Sequence, residues 1–168
     1  QEMNLGPVKI MLTVDSGWLI PDKTELERAV NSASELGYQV AIHAVEMKAV
    51  EVASQMMGGQ FRNRIEHCSE CSTVALNNIA RLGGIVVTQP NFIYERGDKY
   101  LEQVSDKIQP SLYRMKSLID AGITVAASSD APISDPNPLL GIYSAVTRCT
   151  VSGNVVGIDE RVDLEQAL

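Results

Sequence analysis

The sequence predicts an α/β fold in which parallel strands alternate with helices. Three observations point to it. Short apolar runs recur, each closing on a polar residue; a glycine that ends a helix precedes most of them; and helical periodicity fills the intervals. The pattern is clearest where Asp120-Ala-Gly122 leads into Ile123–Ala127 and then Ser128-Ser-Asp130. It recurs where Glu35-Leu-Gly37 precedes Tyr38–His43 and where Arg81-Leu-Gly83 precedes Gly84–Gln89. Asn63–His67 is a further copy with a looser start.

Taken in order, Pro7–Thr13 reads as a first strand interrupted by Lys9. Asp15–Asp22 reads as a loop. Leu26, Val30 and Ala33 recur at helical spacing from Lys23 to Leu36, with Asp22 or Thr24 as N-cap and Glu25 or Glu27 three residues on. Tyr38–His43 is the second strand, and Glu46–Met57 the helix after it, with Val50, Ala53 and Met57 inward. Arg62–His67 is a brief third strand in which only Ile65 is plainly apolar, so burial alone does not account for it. Thr73–Leu82 is the next helix and Ile85–Gln89 the fourth strand. Pro90–Gln109 reads as a long polar loop over the active rim, with a helical turn at Leu101–Val104. Pro110 opens a helix over Ser111–Ala121, Ile123–Ala127 is the fifth strand, and Leu139–Cys149 is helical after a proline-rich turn. Val151–Val162 reads as loop or linker, and Asp163 with Gln166 starts a capped helix.

Strands in series with helices between them pair in parallel through right-handed crossovers. A closed (β/α)8 barrel takes roughly 250 residues. The 168 residues here are enough for about five of its eight units. The expected architecture is therefore α/β, a partial (β/α)8 barrel over residues 1–150, with 151–168 a linker and the start of a truncated helix. A doubly wound open sheet is the alternative, and strand order separates the two. Both ends read as cut, because the chain starts at Gln1 and Leu168 stops a helix that has just been capped.

The balance of charge narrows the partners. A formal charge of -7 and a pI near 4.8 argue against a nucleic acid or an anionic membrane, either of which calls for a basic face. No apolar run approaches the roughly 20 residues needed to span a bilayer. Three cysteines, an odd count, suit reduced thiols in a cytoplasm better than a disulfide framework.

In such sheets the carboxyl ends of the strands share one rim, so His43, His67, Gln89 and Asp130 are expected to converge there. A single histidine at a strand end is more often a satisfied structural residue than a ligand. Here, however, the chain has only two histidines and both close strands on one predicted rim. Two imidazoles and a carboxylate suit zinc or another divalent ion that leaves room for a water, with a carboxylate to carry its proton to a leaving nitrogen. Lys9 is either an edge residue with its ammonium in solvent or, once its amine is carboxylated, an oxygen donor. His67-Cys68 with Cys71 offers a rival zinc knuckle, which lacks a clear fourth ligand. Ser128-Ser129 lacks the Gly-x-Ser-x-Gly elbow of a nucleophile, and no phosphate-cradling glycine loop is present. Tyr94, Arg96, Arg114 and Arg148 could line a pocket, although such residues are more often solvated or structural.

Six blocks now carry a resemblance. Val8-Lys9-Ile10, Val40-Ala-Ile-His43-Ala44 with Lys48-Ala-Val50, Arg64-Ile-Glu-His67, Thr88-Gln-Pro90, Ser129-Asp-Ala-Pro132 and Ala145-Val-Thr-Arg148 occur in order across nearly the whole chain. Together they resemble the amidohydrolase superfamily, in the branch that includes N-substituted formamide deformylases. The resemblance implies a TIM-like barrel in which Lys9, His43, His67 and Asp130 end strands four, five, six and eight. It also implies a divalent site, usually zinc, that hydrolyses amide, formamide or cyclic C–N bonds of a small molecule. By that analogy His43 and His67 are ligands, Lys9 a carboxylated bridge, and Asp130 both ligand and proton shuttle. The chain departs from the family in two places. It contains no His-x-His pair, which in the family binds the more buried metal from the first strand, and Glu46 stands where a Gly-Asp is usual. The chain alone is accordingly expected to be inactive, needing a partner chain or self-association to complete the barrel. A non-catalytic binding or scaffold domain that kept the fold is the alternative function.

Overall fold

Five of the apolar runs become parallel strands of one sheet in the computed structural model, which describes residues 5–168. They are β1 (Val8–Met11), β4 (Val40–Ala44), β5 (Arg64–His67), β6 (Ile85–Thr88) and β7 (Thr124–Ala127), and they lie in that order across the sheet. Consecutive parallel neighbours with no reversal are the topology of a barrel segment; a doubly wound sheet reverses its strand order at a switch point. A helix follows most of the strands: α1 (Lys23–Glu35), α2 (Met47–Ser54), α3 (Thr73–Leu82), α4 (Asn91–Gln103) and α6 (Pro138–Thr147), with short α5 (Met115–Asp120) and α7 (Leu164–Ala167). The fold is thus mixed α/β and consistent with a partial TIM-like barrel.

Register explains which residues are apolar. Ile10, Ile42, Ile65, Val86 and Val125 pair in one continuous row across all five strands. That row packs on the helices, joining Leu26 and Val30 of α1, Ala49 and Ala53 of α2, and Ala75 and Ile79 of α3. Full burial of such a side chain contributes roughly 1.5–3 kcal/mol. The neighbouring rows, Lys9-Ala41-Arg64 and Met11-His43-Glu66, alternate to the opposite face of the sheet. The charged third strand now has its reason: Ile65 faces the helices, and Arg64 and Glu66 form an ion pair on the other face.

Local signals set most helix ends. Asp22 and Glu25 make a reciprocal capping box at the start of α1, and Asp163 with Gln166 makes another at α7. Ser72 caps α3, and Gly83 ends it in the left-handed conformation that a glycine adopts without steric cost.

Three segments differ from the sequence reading. The expected loop after the first strand is a hairpin of β2 (Thr13–Asp15) and β3 (Trp18–Ile20), turned by Ser16 and Gly17, both with positive φ. The expected polar loop of residues 90–109 is mostly α4, a helix of 13 residues. Its apolar residues are few, but Phe92 and Ile93 are buried, and Gly97 lets it approach the side chains of Thr150 and Val156. The helix expected over Ser111–Ala121 is split. Tyr113 takes a positive φ of 48° and separates a 3-10 turn at Gln109–Ser111 from α5. Residues 151–162 lie against the body: Val156 and Val162 are buried, and the Val156 carbonyl accepts from Arg148.

Candidate active-site rim

His43 and His67 close adjacent strands, and their rings meet edge to face with centroids 4.5 Å apart. A regular pleat would not bring them together. His43 pairs in register with Glu66, so His67, one residue on, belongs to the row that faces the helices. The chain leaves the extended conformation there instead: φ is +74° at His67 and +51° at Cys68. Bonds from two neighbouring strands hold this turn. Thr88 donates its hydroxyl to the His67 carbonyl at 2.9 Å, and the Cys68 N–H donates to the Ala44 carbonyl at 3.0 Å. The third closing residue, Asp130, is likewise left-handed at φ +61°. Its turn is tied by Ser134, whose hydroxyl donates to the Ser129 carbonyl at 2.6 Å, and by Asn91, whose amide reaches the same carbonyl at 3.2 Å.

The charges around His43 show what surrounds it. Burial first, then the neighbouring His67 and Lys9, hold its pKa below the usual imidazole value, while Glu46 and Asp130 act the other way. Of the nominated groups, His67, Lys9 and Asp130 thus lie near enough to bear on the charge of this ring. Lys9 itself lies on edge strand β1 with its side chain exposed, on the same sheet face as His43. Gln89, also expected at the rim, accepts from or donates to His67 Nδ1 across 2.7 Å. Glu46 was not nominated; its Oε2 is buried and has no hydrogen-bond partner. It makes no capping bond to α2, and Glu70 accepts from the first N–H of that helix, Met47, at 2.9 Å. In the sequence Glu46 stood out only by its position two residues after a strand, where the family resemblance calls for a Gly-Asp.

The donor chemistry fits a divalent cation in part. Two adjacent imidazoles and an orphaned carboxylate oxygen are suitable donors, yet among the described residues no group of three His, Cys, Asp or Glu side chains is set to hold a metal ion. The cysteine knuckle does not form. Cys68 and Cys71 are fully buried in the main core, and their mutual hydrogen bond, with burial, raises the Cys68 thiol well above its ordinary range. Two of the nominated arginines are structural. Arg148 is wholly buried and donates to the carbonyls of Leu112, Tyr113 and Val156, each at 2.8 Å, and Arg114 pairs with Glu160. Tyr94 stacks edge to face on Tyr143, and Arg96 sits over the Phe92 ring at 4.1 Å. A cleft of about 380 Å³ lies instead beside β7, lined by Val125, Ala127, Pro136, Ile142 and Leu168 among others, and none of the nominated metal ligands borders it. No helix among the described residues is long and apolar enough to cross a membrane.

Comparison with known proteins sets this sheet beside those of metal-dependent hydrolases. The amidohydrolase family model matches residues 5–168, and the chain belongs to that family. Among curated relatives, the N-substituted formamide deformylase of Arthrobacter pascens is 27% identical over 154 residues, covering 87% of this chain and 28% of the relative. Among solved structures, an uncharacterized metal-dependent hydrolase from Pyrococcus horikoshii aligns with a TM-score of 0.79 at 30% identity, over 96% of this chain and 34% of that one. Another from Pyrococcus furiosus gives 0.76 at 33% identity, over 91% and 31%. The chain thus spans about a third or less of the length of these proteins.

Proposed function

We propose that this chain carries part of the catalytic rim of a metal-dependent hydrolase acting on non-peptide C–N bonds of a small-molecule amide, formamide or cyclic amide. The observation that carries this reading is the meeting of His43 and His67 at 4.5 Å, against the regular pleat. His43, His67 and Asp130 would hold the ion, with Lys9 as an oxygen donor once its amine has taken up carbon dioxide. Zinc suits imidazole and carboxylate donors. A divalent ion supplies Lewis acidity, making a nucleophile of water near neutral pH and polarising a carbonyl. Asp130 takes the proton released as water adds to the carbonyl carbon, and returns it to the nitrogen as the C–N bond breaks. The products are a carboxylate, or formate from a formamide, and an amine, the two groups staying on one ring-opened molecule when the amide is cyclic.

The site needs donors beyond those described, so we infer that the 168-residue chain is inactive by itself. Residues 1–150 form the barrel portion, completed by strands from a partner chain or a second copy. Metal analysis and turnover of a panel of N-formyl and N-acyl amines test this. Weak zinc binding lost in His43→Ala and His67→Ala, with no turnover until the missing strands are supplied, is the expected result. Stoichiometric metal with robust turnover by the isolated chain refutes the incompleteness, and absence of any histidine-dependent metal binding favours the non-catalytic scaffold.

A further inference from the structure

The reading above leaves Gln89 without a task, although its side chain is almost wholly buried at the end of β6 against His67. We propose that Gln89 is a positioning residue: oriented by Ser128, it fixes the proton of His67 on Nδ1 and leaves Nε2 as a lone pair. The proposal rests on His67 being a ligand, as argued above.

A carboxamide has one accepting end and one donating end, and its surroundings decide which faces where. Gln89 Nε2 lies 3.4 Å from the Val87 carbonyl, which can only accept, and 2.9 Å from Ser128 Oγ. The donating end therefore faces Val87 and Ser128. Oε1 is left facing His67 Nδ1 at 2.7 Å, and an acceptor there requires an N–H on that nitrogen. Neutral imidazole carries one proton, so Nε2 is unprotonated and available to a cation. Neighbouring bonds keep the arrangement in place. The Ser128 N–H donates to the Thr88 carbonyl at 2.9 Å, setting Ser128 beside Gln89, while Thr88 holds the His67 carbonyl from the same strand end. The ring is thus fixed both at Nδ1 and through its own backbone by residues of β6 and the end of β7.

The test reads the tautomer directly in the metal-free, full 168-residue chain. Long-range proton–nitrogen correlation of 15N-labelled histidine, recorded well above pH 7 where an ordinary imidazole is neutral, distinguishes the two tautomers. The chain has only two histidines, so His43 serves as an internal control for folding. Wild-type His67 should be protonated at Nδ1. Gln89→Leu should give a mixture of tautomers, Gln89→Glu should restore the Nδ1–H form by keeping an acceptor, and Ser128→Ala should weaken the preference. Protonation at Nε2 in the wild type, or no change in either Gln89→Leu or Ser128→Ala, overturns the proposal. If Gln89→Leu loses the His43 signals, Ser128→Ala and Gln89→Glu carry the test. Titration with zinc alone then separates the two readings. Perturbation of His67 Nε2, with affinity falling about ten- to a hundredfold in Gln89→Leu, supports both. A His67 untouched by zinc but held as the Nδ1–H tautomer refutes the ligand reading and leaves the positioning intact.

Discussion

Arg148 shows how much one side chain can hold. Its backbone is left-handed at φ +60°, it is fully buried, and its three guanidinium bonds all end on backbone carbonyls. Burial lowers its pKa to about 10, against Glu160 and Tyr113, which favour the charge. It remains a cation at neutral pH, joining residues 148–156 to the strained Tyr113. Arg148→Met should cost about 3–5 kcal/mol, because it leaves buried carbonyls without donors, and urea unfolding measures it. Gly97 gives a prediction of opposite appearance. Alanine would favour the helix by ~1 kcal/mol, but its Cβ would lie 2.5 Å from Thr150 Cγ2 and 3.2 Å from Val156 Cγ2. Overpacking of this kind costs about 1–3 kcal/mol, so Gly97→Ala should lower the denaturation midpoint despite its better propensity.

Helix α4 is held by such contacts rather than by its own pattern. Asp98 adds a polar tie: its Oδ1 accepts from the Thr150 hydroxyl at 2.7 Å and from the Asn154 amide at 2.9 Å. These bonds, Asn154 first and then Thr150, hold the Asp98 carboxyl below its ordinary value of 3.8. A depressed folded pKa means the carboxylate's contribution is complete above the unfolded value and is lost as the pH falls through the folded one. Protection of the Thr150 and Asn154 amides, taken relative to their intrinsic exchange rates, should therefore fall as the chain is acidified below about pH 4, and Asp98→Asn should remove that step. Elsewhere the helices were readable. Asp22 with Glu25 and Ser72 before α3 are local bonds between residues three apart, so spacing alone exposes them. The helical character of α4 was hidden because its buried face is short and the glycine that lets it pack lowers propensity.

At the level of the sheet, β1 and β7 each pair on one side only among the described residues, and much of each is exposed. Unpaired strand edges favour association. The proposed completion by a second copy predicts concentration-dependent self-association in sedimentation experiments, reduced by Ala126→Lys on the β7 edge. A fixed monomer at all concentrations would leave only a different chain as the completing partner. The proposed metal rim makes a second prediction for the assembled site. His43→Ala or His67→Ala should each weaken zinc by more than the ten- to hundredfold that loss of an outer partner costs, a change isothermal titration can follow.

The parallel strand order, most helix ends, the polar closing residues and the pairing of two histidines on one rim were written in the sequence. Each depends on periodicity, on a cap a few residues away, or on a glycine past a helix. Folding alone supplied the reversal of His67 against its pleat, the inward burial of both nearby cysteines and the conversion of Arg148 into a scaffold. The physical reason is the source of the forces. The positive φ at His67 is stabilised by Thr88 and Ala44, which come from other strands, and Arg148 is bound by carbonyls up to 36 positions away. Bonds that close over such separations leave no local pattern in the chain that makes them.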